Sequence, residues 1–352
     1  MQLPINTNLR NLKAYTPPLE GRSDFNGLLL DFNEALIPIS VKVQKALLDF
    51  TKQNKFRIYP EYGDLKSKIA KYVGCKQNMV FPTNGSYEAI ELIFKTFTQN
   101  RDEVIIPSPS FAMFAQCAKV NGNKLVSISY GEKGEFPFEE VLRSINSKTK
   151  LVIICNPNNP TGGLLPLASI EKITRKAKRN NAMVMVDEAY FEYSQLSALP
   201  LLQKFPNLII TRTFSKAFGL AGLRIGYLIA SPIIIAEIQK IGSPYSVNCF
   251  ASSAAKTALS DIASMRKYRA EVMQKAKPLV EKFLQAEGIE FLPSSANFIL
   301  LKLSNSQKIL KELQKQGFLL RPREWKKEIY LRITIGTIAQ MRSFLKTFKT
   351  LI

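Results

Sequence analysis

The chain of 352 residues contains no histidine. That absence excludes imidazole general bases, Ser-His-Asp and Cys-His nucleophiles, and the H-E-x-x-H zinc helix. Acid–base chemistry near neutral pH is left to a lysine or carboxylate of displaced pKa, or to a cofactor. Cysteine is scarce, with Cys75, Cys117, Cys155 and Cys249 scattered and no C-x-x-C spacing. No disulfide framework and no metal site are expected, and a reducing cytoplasm is the default compartment. Long apolar runs are missing. Leu151–Cys155 and Ile233–Ala236 are far too short to cross a bilayer, and the opening MQLPINTNLRNLK lacks the apolar core of a signal peptide. A soluble protein without a membrane partner is expected.

What is present begins with charge. Lysine and arginine number 49 against 28 acidic residues, a net charge of +21. Nucleic acid is the sharp reading of such an excess. The basic residues are spread along the chain, however, and the densest clusters, 175–179 and 321–327, are interrupted by apolar or acidic residues. Solvated lysine-rich faces account for most of the charge, with some attraction for anionic substrates. No nucleic-acid partner is expected.

Along the chain, the first thirty residues are polar and punctuated by Pro and Gly, and read as an arm over 1–30. Ile90, Ile93, Phe94 and Phe97 then recur with helical spacing, in a helix that Gly85-Ser86 opens. Short β-rich runs at Val104–Ile106, Leu151–Cys155, Met183–Val186 and Leu208–Thr211 alternate with helix-like stretches such as Leu167–Arg179. Alternation of this kind implies an α/β fold with a mostly parallel sheet covered on both faces. Beyond Gly226–Ala230 the texture changes. A long helical region is expected over 250–287, strands at 296–303, 318–320 and 329–334, and a short helix at 307–316. The division expected is a large domain over 31–244 and a smaller α/β domain over 245–352, against which the first ~20 residues pack.

Three of the apolar strands run into unusual clusters: N-P-N-N-P-T-G at 156–162, D-E-A-Y at 187–190, and R-T-F-S-K-A-F-G-L-A-G-L-R at 212–224. Each alone is ordinary, as a turn, a helix cap or a chance dipeptide. In an open parallel sheet, however, ligands sit beyond the carboxyl ends of the strands, so Asn159, Asp187, Tyr190 and Lys216 converge on one crevice. The residue types fit one chemistry. A lysine of lowered pKa forms a Schiff base with an aldehyde. A buried carboxylate such as Asp187 keeps a pyridine nitrogen protonated, so that the ring accepts electrons. Asn159 and Tyr190 suit a phenolate oxygen. Gly85-Ser86 at a helix start, with Thr213, Ser215 and Arg224, suits a phosphate.

The same set resembles the fold-type I, aspartate-aminotransferase-like family, and most closely its histidinol-phosphate aminotransferase branch. The resemblance covers nearly the whole chain: D-F-N-E at 31–34, Y-P-E-Y at 59–62, N-G-S-Y-E-A-I at 84–90, the three clusters above, P-Y-S-V-N at 244–248, A-N-F-I-L at 296–300 and L-R-I-T-I-G-T at 331–337. It implies an enzyme carrying pyridoxal 5'-phosphate on Lys216, with Asp187 at the ring nitrogen and Tyr190 and Asn159 at the ring oxygen. It further implies Phe111 stacked on the ring, and a phosphate bound by Gly85, Ser86, Tyr87, Thr213, Ser215 and Arg224. Tyr59 would reach the phosphate of a neighbouring chain across a homodimer interface. Tyr15, Asn33, Arg321 and Arg332 would line the substrate pocket. The partners implied are a small-molecule amino donor and a 2-oxo acid. The reaction expected is histidinol phosphate with 2-oxoglutarate, giving imidazole acetol phosphate and glutamate, a step of histidine biosynthesis.

Two positions depart from the family pattern. Ala35-Leu36-Ile37-Pro38 replaces the usual Asn-Pro and following glycine, and Tyr87 replaces an acidic residue. An aromatic amino-acid aminotransferase and a phospho-amino-acid decarboxylase are rival expectations on the same scaffold. A DNA-binding regulator that borrows the fold would need an additional N-terminal domain, and none is expected.

Overall fold

The computed structural model describes residues 4–10 and 12–352; positions 1–3 and 11 of the expected arm lie outside the described residues. Seven strands form one sheet, in the spatial order Val80–Thr83, Gly226–Ala230, Leu208–Thr213, Met183–Asp187, Thr149–Cys155, Glu103–Ser108, Lys124–Ser129. Gly226–Ala230 runs antiparallel to both its neighbours, and the other pairings are parallel. The central strands are apolar at successive positions because both faces are covered. Ile105, Val152, Val184 and Ile210 point into one buried cluster, and Val104, Ile153, Met185 and Ile209 into another. The helix Gly85–Phe97 lays Ile90, Ile93 and Phe94 on the second of these layers, while Leu167–Arg179 lays Ile170, Ile173 and Ala177 on the first.

A second sheet is antiparallel throughout, in the order Arg321–Trp325, Glu328–Thr334, Phe298–Lys302, Phe291–Leu292. Its first strand escaped the sequence reading because Pro322 and the charged residues around it mask the alternation. The hairpin after it turns on Lys326 and Lys327, both at positive φ, 52° and 65°, as a two-residue turn requires. Arg321 pairs directly with Arg332 across this hairpin. The helical stretch expected over 250–287 is broken. Cys249–Ser260 ends at Asp261, whose carboxylate accepts from Ser264 Oγ at 2.8 Å and Lys42 Nζ at 3.0 Å. Ile262–Glu271 then passes through a wide π turn, Val272–Ala276, into Lys277–Ala286, where Pro278 has no N–H to give the preceding turn.

Phe318–Leu319 pairs in parallel with Leu28–Leu29 rather than with the second sheet. Gly27 is required there, since a Cβ would fall 2.2 Å from the Gly317 carbonyl oxygen. The chain then continues along the second sheet, with Thr334 N donating to the Leu30 carbonyl at 3.0 Å. Residues 31–34 are thereby held beside the carboxyl ends of the central strands that carry the motifs. Among the described residues, no helix is long and apolar enough to cross a membrane and no group of His, Cys, Asp or Glu is arranged to hold a metal.

Candidate active site

Cys155, Asp187 and Thr213 are the last residues of their parallel strands, so their side chains meet at one end of the sheet. Asp187 is buried, and Thr211 Oγ1 on the adjacent strand donates to its Oδ1 at 2.8 Å. Its Oδ2 has the Cys155 thiol at 4.0 Å, a weak donor at long range. Burial pushes the Asp187 pKa up to about 6. Glu188 turns the other way, into a buried pair with Arg212, whose Nε donates to Glu188 Oε2 at 2.9 Å. The D-E step thus splits its two carboxylates between the site and the core.

Lys216 lies just beyond the end of its strand, half-buried, and its Nζ donates to the Phe32 carbonyl at 2.7 Å. Burial, and then the charge of Arg332, pull its pKa down to about 8. The Tyr190 ring centroid lies 6.0 Å from the same Nζ. Tyr190 is buried, accepts at its phenol oxygen from Asn33 Nδ2 at 2.9 Å, and is pushed up to about 12 by burial. Asn33 sits at φ 56°, in the left-handed region that asparagine tolerates, and its N–H donates to Thr334 Oγ1 at 3.0 Å. Arg22 anchors the same loop from the arm, donating to Asp31 Oδ2 at 2.9 Å and Glu34 Oε2 at 2.6 Å.

A concave group of donors lies on the other side of Lys216. Gly85 opens its helix at φ +71°, and a Cβ there would lie 2.6 Å from Arg224 Nη2. Gly226 lets the strand pass close beneath, since a Cβ would sit 2.7 Å from the Ser86 nitrogen. Thr213 Oγ1 and Ser215 Oγ are 2.9 Å apart, and the Arg224 guanidinium is exposed. Free N–H groups at a helix start, two hydroxyls and a cation are the donor set of a phosphate site. Tyr87 contributes its place at the helix start but not its side chain, which donates along the helix to Glu91 Oε1 at 3.1 Å.

Arg332 is buried, donates from Nη1 to Asn159 Oδ1 at 2.6 Å and from Nη2 to the Asp31 carbonyl, and leaves Nε without a partner. Burial, and then Arg323, pull its pKa down to about 9, so it stays cationic at neutral pH. Arg321 stacks over the Phe32 ring at 5.2 Å, on a ring that Arg22 approaches at 4.4 Å. Phe111, partly buried and edge-on to Phe114 at 5.6 Å, shares a small outer cavity with Tyr15, Asn159 and Arg323. Asn159, Asp187, Tyr190, Lys216, Asn33 and Arg332 are therefore brought together, with the donor group around Gly85 beside them. Tyr59 stands apart, exposed and stacked on Tyr245 at a centroid distance of 4.5 Å. The segment at 35–38 docks through its backbone, Leu36 N donating to the Tyr268 phenol at 3.0 Å and the Leu36 carbonyl accepting from Gln340 at 2.7 Å. Arg22, Phe32, Thr334 and Arg323 were missed in the sequence. Phe32 and Thr334 lie within the D-F-N-E and L-R-I-T-I-G-T motifs, which are the signal that could have found them, whereas Arg22 and Arg323 lie outside every motif.

The residues fit pyridoxal phosphate. Asp187 is a buried carboxylate with one oxygen short of a donor, which a protonated ring nitrogen would supply. At Gly85 the missing Cβ lets the Arg224 guanidinium close on the helix start, beside the hydroxyls of Thr213 and Ser215, as an anion site requires.

The family model described as aminotransferase class I and II matches residues 26–348. A histidinol-phosphate aminotransferase of Caldanaerobacter subterraneus subsp. tengcongensis is 34% identical over 296 residues, 83% of this chain and 83% of that one. Another, of Parabacteroides distasonis, is 34% identical over 358 residues, 99% of this chain and 97% of that one. The crystal structure of histidinol-phosphate aminotransferase from Sinorhizobium meliloti in complex with pyridoxal-5'-phosphate has a TM-score of 0.88 at 21% identity, over 100% of this chain and 99% of that one, a likeness of fold.

Proposed function

The chain belongs to the class I and II aminotransferase family, and from that membership we propose that it moves the amino group of histidinol phosphate to 2-oxoglutarate, with pyridoxal phosphate as cofactor. The observation that carries this reading is the meeting of Lys216, Asp187 and Arg332 at one end of the parallel sheet, beside an anion cradle. The relatives that match nearly end to end bear the name of that activity.

Pyridoxal phosphate, when bound, supplies an aldehyde that captures amines and a ring that accepts the electron pair left at the substrate's α-carbon. The protein's side chains do the rest. Gly85, Ser86 and Tyr87 offer backbone N–H groups to the phosphate, with Thr213, Ser215 and Arg224 around it. Phe111 would cover one face of the ring. Asp187 keeps the ring nitrogen protonated, and in doing so gains the cationic partner its buried carboxylate lacks. Asn159 and Tyr190 would hold the ring oxygen. Lys216, buried and with a pKa of about 8, would be the base for the substrate's α-proton, its Nζ holding that proton for transfer. Arg332 and Arg321, cross-strand neighbours, grip the anionic end of the substrate with forked donors. Asn33 and Tyr15 complete the pocket.

The reading extends to assembly and compartment. Val41, Leu48, Phe56, Ile58 and Tyr59 are large apolar residues exposed on one stretch of chain, which supports a homodimer in which Tyr59 serves the neighbouring phosphate. Cytoplasmic residence and a division into domains at 31–244 and 245–352, with the site between them, belong to the same proposal. Half-reactions test it. The purified protein should show an absorbance band that borohydride abolishes, leaving the label on Lys216, and histidinol phosphate should discharge the cofactor faster than phenylalanine or tyrosine. A colourless protein indifferent to added pyridoxal phosphate refutes it.

A further inference from the structure

Arg323 plays no part in the chemistry of Lys216 and Asp187, yet its surroundings are those of a ligand-binding group. It follows Arg321 by two positions on one strand, so the two share a face and stand about 7 Å apart along it. Its Nε is buried without a hydrogen-bond partner. Among the described residues, none of Arg321, Arg323 and Arg332 forms an ion pair. Guanidinium groups clustered without ion-pair partners, two of them partly and one fully buried, repel one another until a ligand brings anions. Arg323 also occupies a position of its own. Arg332 is tied to Asn159 and the Asp31 carbonyl, and Arg321 lies on Phe32. Arg323 instead lines the outer cavity of about 200 Å³ with Tyr15, Phe111 and Asn159. Phe111 and Asn159 belong to the cofactor's surroundings, so this cavity leads outward from the reacting centre. Glu324, at its rim, is exposed and alternates to the other face of the strand.

We propose that Arg323, with the Tyr15 hydroxyl, binds the second carboxylate of the dicarboxylic partner, glutamate or 2-oxoglutarate, while Arg332 and Arg321 hold the anion next to the reacting carbon. The inference rests on the aminotransferase reading and assigns it a specificity-determining residue. The two substrates make different demands. Histidinol phosphate has one anionic group and a flat polar ring on its other arm. A dicarboxylate has an anion at each end, and its far end requires a cation that a phosphate-and-ring substrate does not use. A third arginine, displaced outward along the strand from the other two, meets that demand without changing the first anion site.

The experiment is a set of single-turnover half-reactions on the holoenzyme, followed by cofactor absorbance, with glutamate, histidinol phosphate and phenylalanine as donors. Arg323→Gln should raise the apparent Kd for glutamate about tenfold to a hundredfold, the loss of one charge-assisted contact. Histidinol phosphate and phenylalanine should lose far less, and Arg323→Lys should recover part of the glutamate affinity. Equal losses on all three donors, or no loss on glutamate, overturn the assignment. If Arg323→Gln fails to fold, Arg323→Lys decides alone, with a rise in Kd selective for glutamate expected and an unselective one contrary to it. A wild-type enzyme inert to histidinol phosphate would retire that substrate and leave the glutamate comparison standing.

Discussion

Lys216 donates from Nζ to the carbonyl oxygen of Phe32 at 2.7 Å, so the amine at the centre of the site is held by backbone and not by a carboxylate. Burial dominates and Arg332 adds to it, outweighing the charges of Glu34 and Asp187, and the pKa falls from 10.5 to about 8. Cofactor capture needs the neutral amine, which forms above the pKa. The rate at which the cofactor-free protein takes up pyridoxal phosphate should therefore rise with pH and level off above about 8. Arg332→Gln removes a charge that lowers the pKa, so the midpoint should move upward. Stopped-flow absorbance reads both, and a wild-type midpoint near the ordinary lysine value would contradict the argument.

Asp187 works against stability in the absence of the cofactor. Its folded pKa of about 6 lies above the ordinary 3.8. A raised carboxylate pKa means stability that is full below the unfolded value and is lost as pH climbs through the folded one. At neutral pH the buried charge costs at most about 3 kcal/mol. Asp187→Asn should therefore raise the Tm of the cofactor-free protein at pH 7, with the gain fading in acid below the ordinary carboxylate pKa, while abolishing most of the turnover. Calorimetry and a transamination assay on the same sample check the pair. A variant as active as wild type would make Asp187 a plain structural residue.

Arg321 is the residue to vary for the phosphate end of the donor. Arg321→Ala should weaken histidinol phosphate by about 1.5–3 kcal/mol, roughly tenfold to a hundredfold, and phenylalanine much less. Steady-state kinetics with both donors separates a lost phosphate contact from a general loosening around Phe32, which would lower both alike.

Tyr59 allows a test by mixing chains. Tyr59→Ala should weaken phosphate binding, and Lys216→Ala should abolish turnover. In a dimer of one chain of each kind, the chain that keeps Lys216 receives Tyr59 from its partner, so co-refolding the two variants should restore tight phosphate binding at an active site. No recovery, or a fully active monomer by sedimentation, would return Tyr59 to a packing role against Tyr245.

The site was legible where chemistry needs a particular side chain at a strand end. Lys216, Asp187 and Asn159 follow apolar runs whose type and direction the sequence makes plain. It was not legible where the backbone does the work. The carbonyls of Asp31 and Phe32 receive Arg332 and Lys216, and a carbonyl has no letter in the sequence. The pairing of Leu28–Leu29 with Phe318–Leu319 was hidden for a related reason, since two-residue strands far apart in the chain leave no period to detect. The break at Asp261 was missed because helix-forming residues, alanine among them, lie on both sides of it. The polar hairpin strand at 321–325 concealed Arg323 along with itself.

The two carbonyls that receive Arg332 and Lys216 are consecutive in the chain, separated by one peptide unit. A peptide unit is planar and of fixed length whatever side chains it bears. The oxygen that holds an arginine of the antiparallel sheet and the oxygen that holds the lysine of the parallel sheet are thus joined through a single residue, Phe32, whose φ and ψ set the interval between them. Changes of side chain that leave those two angles alone leave the interval alone. A single inserted or deleted residue would not be tolerated in the same way, because it would move one cation relative to the other by a whole residue's rise.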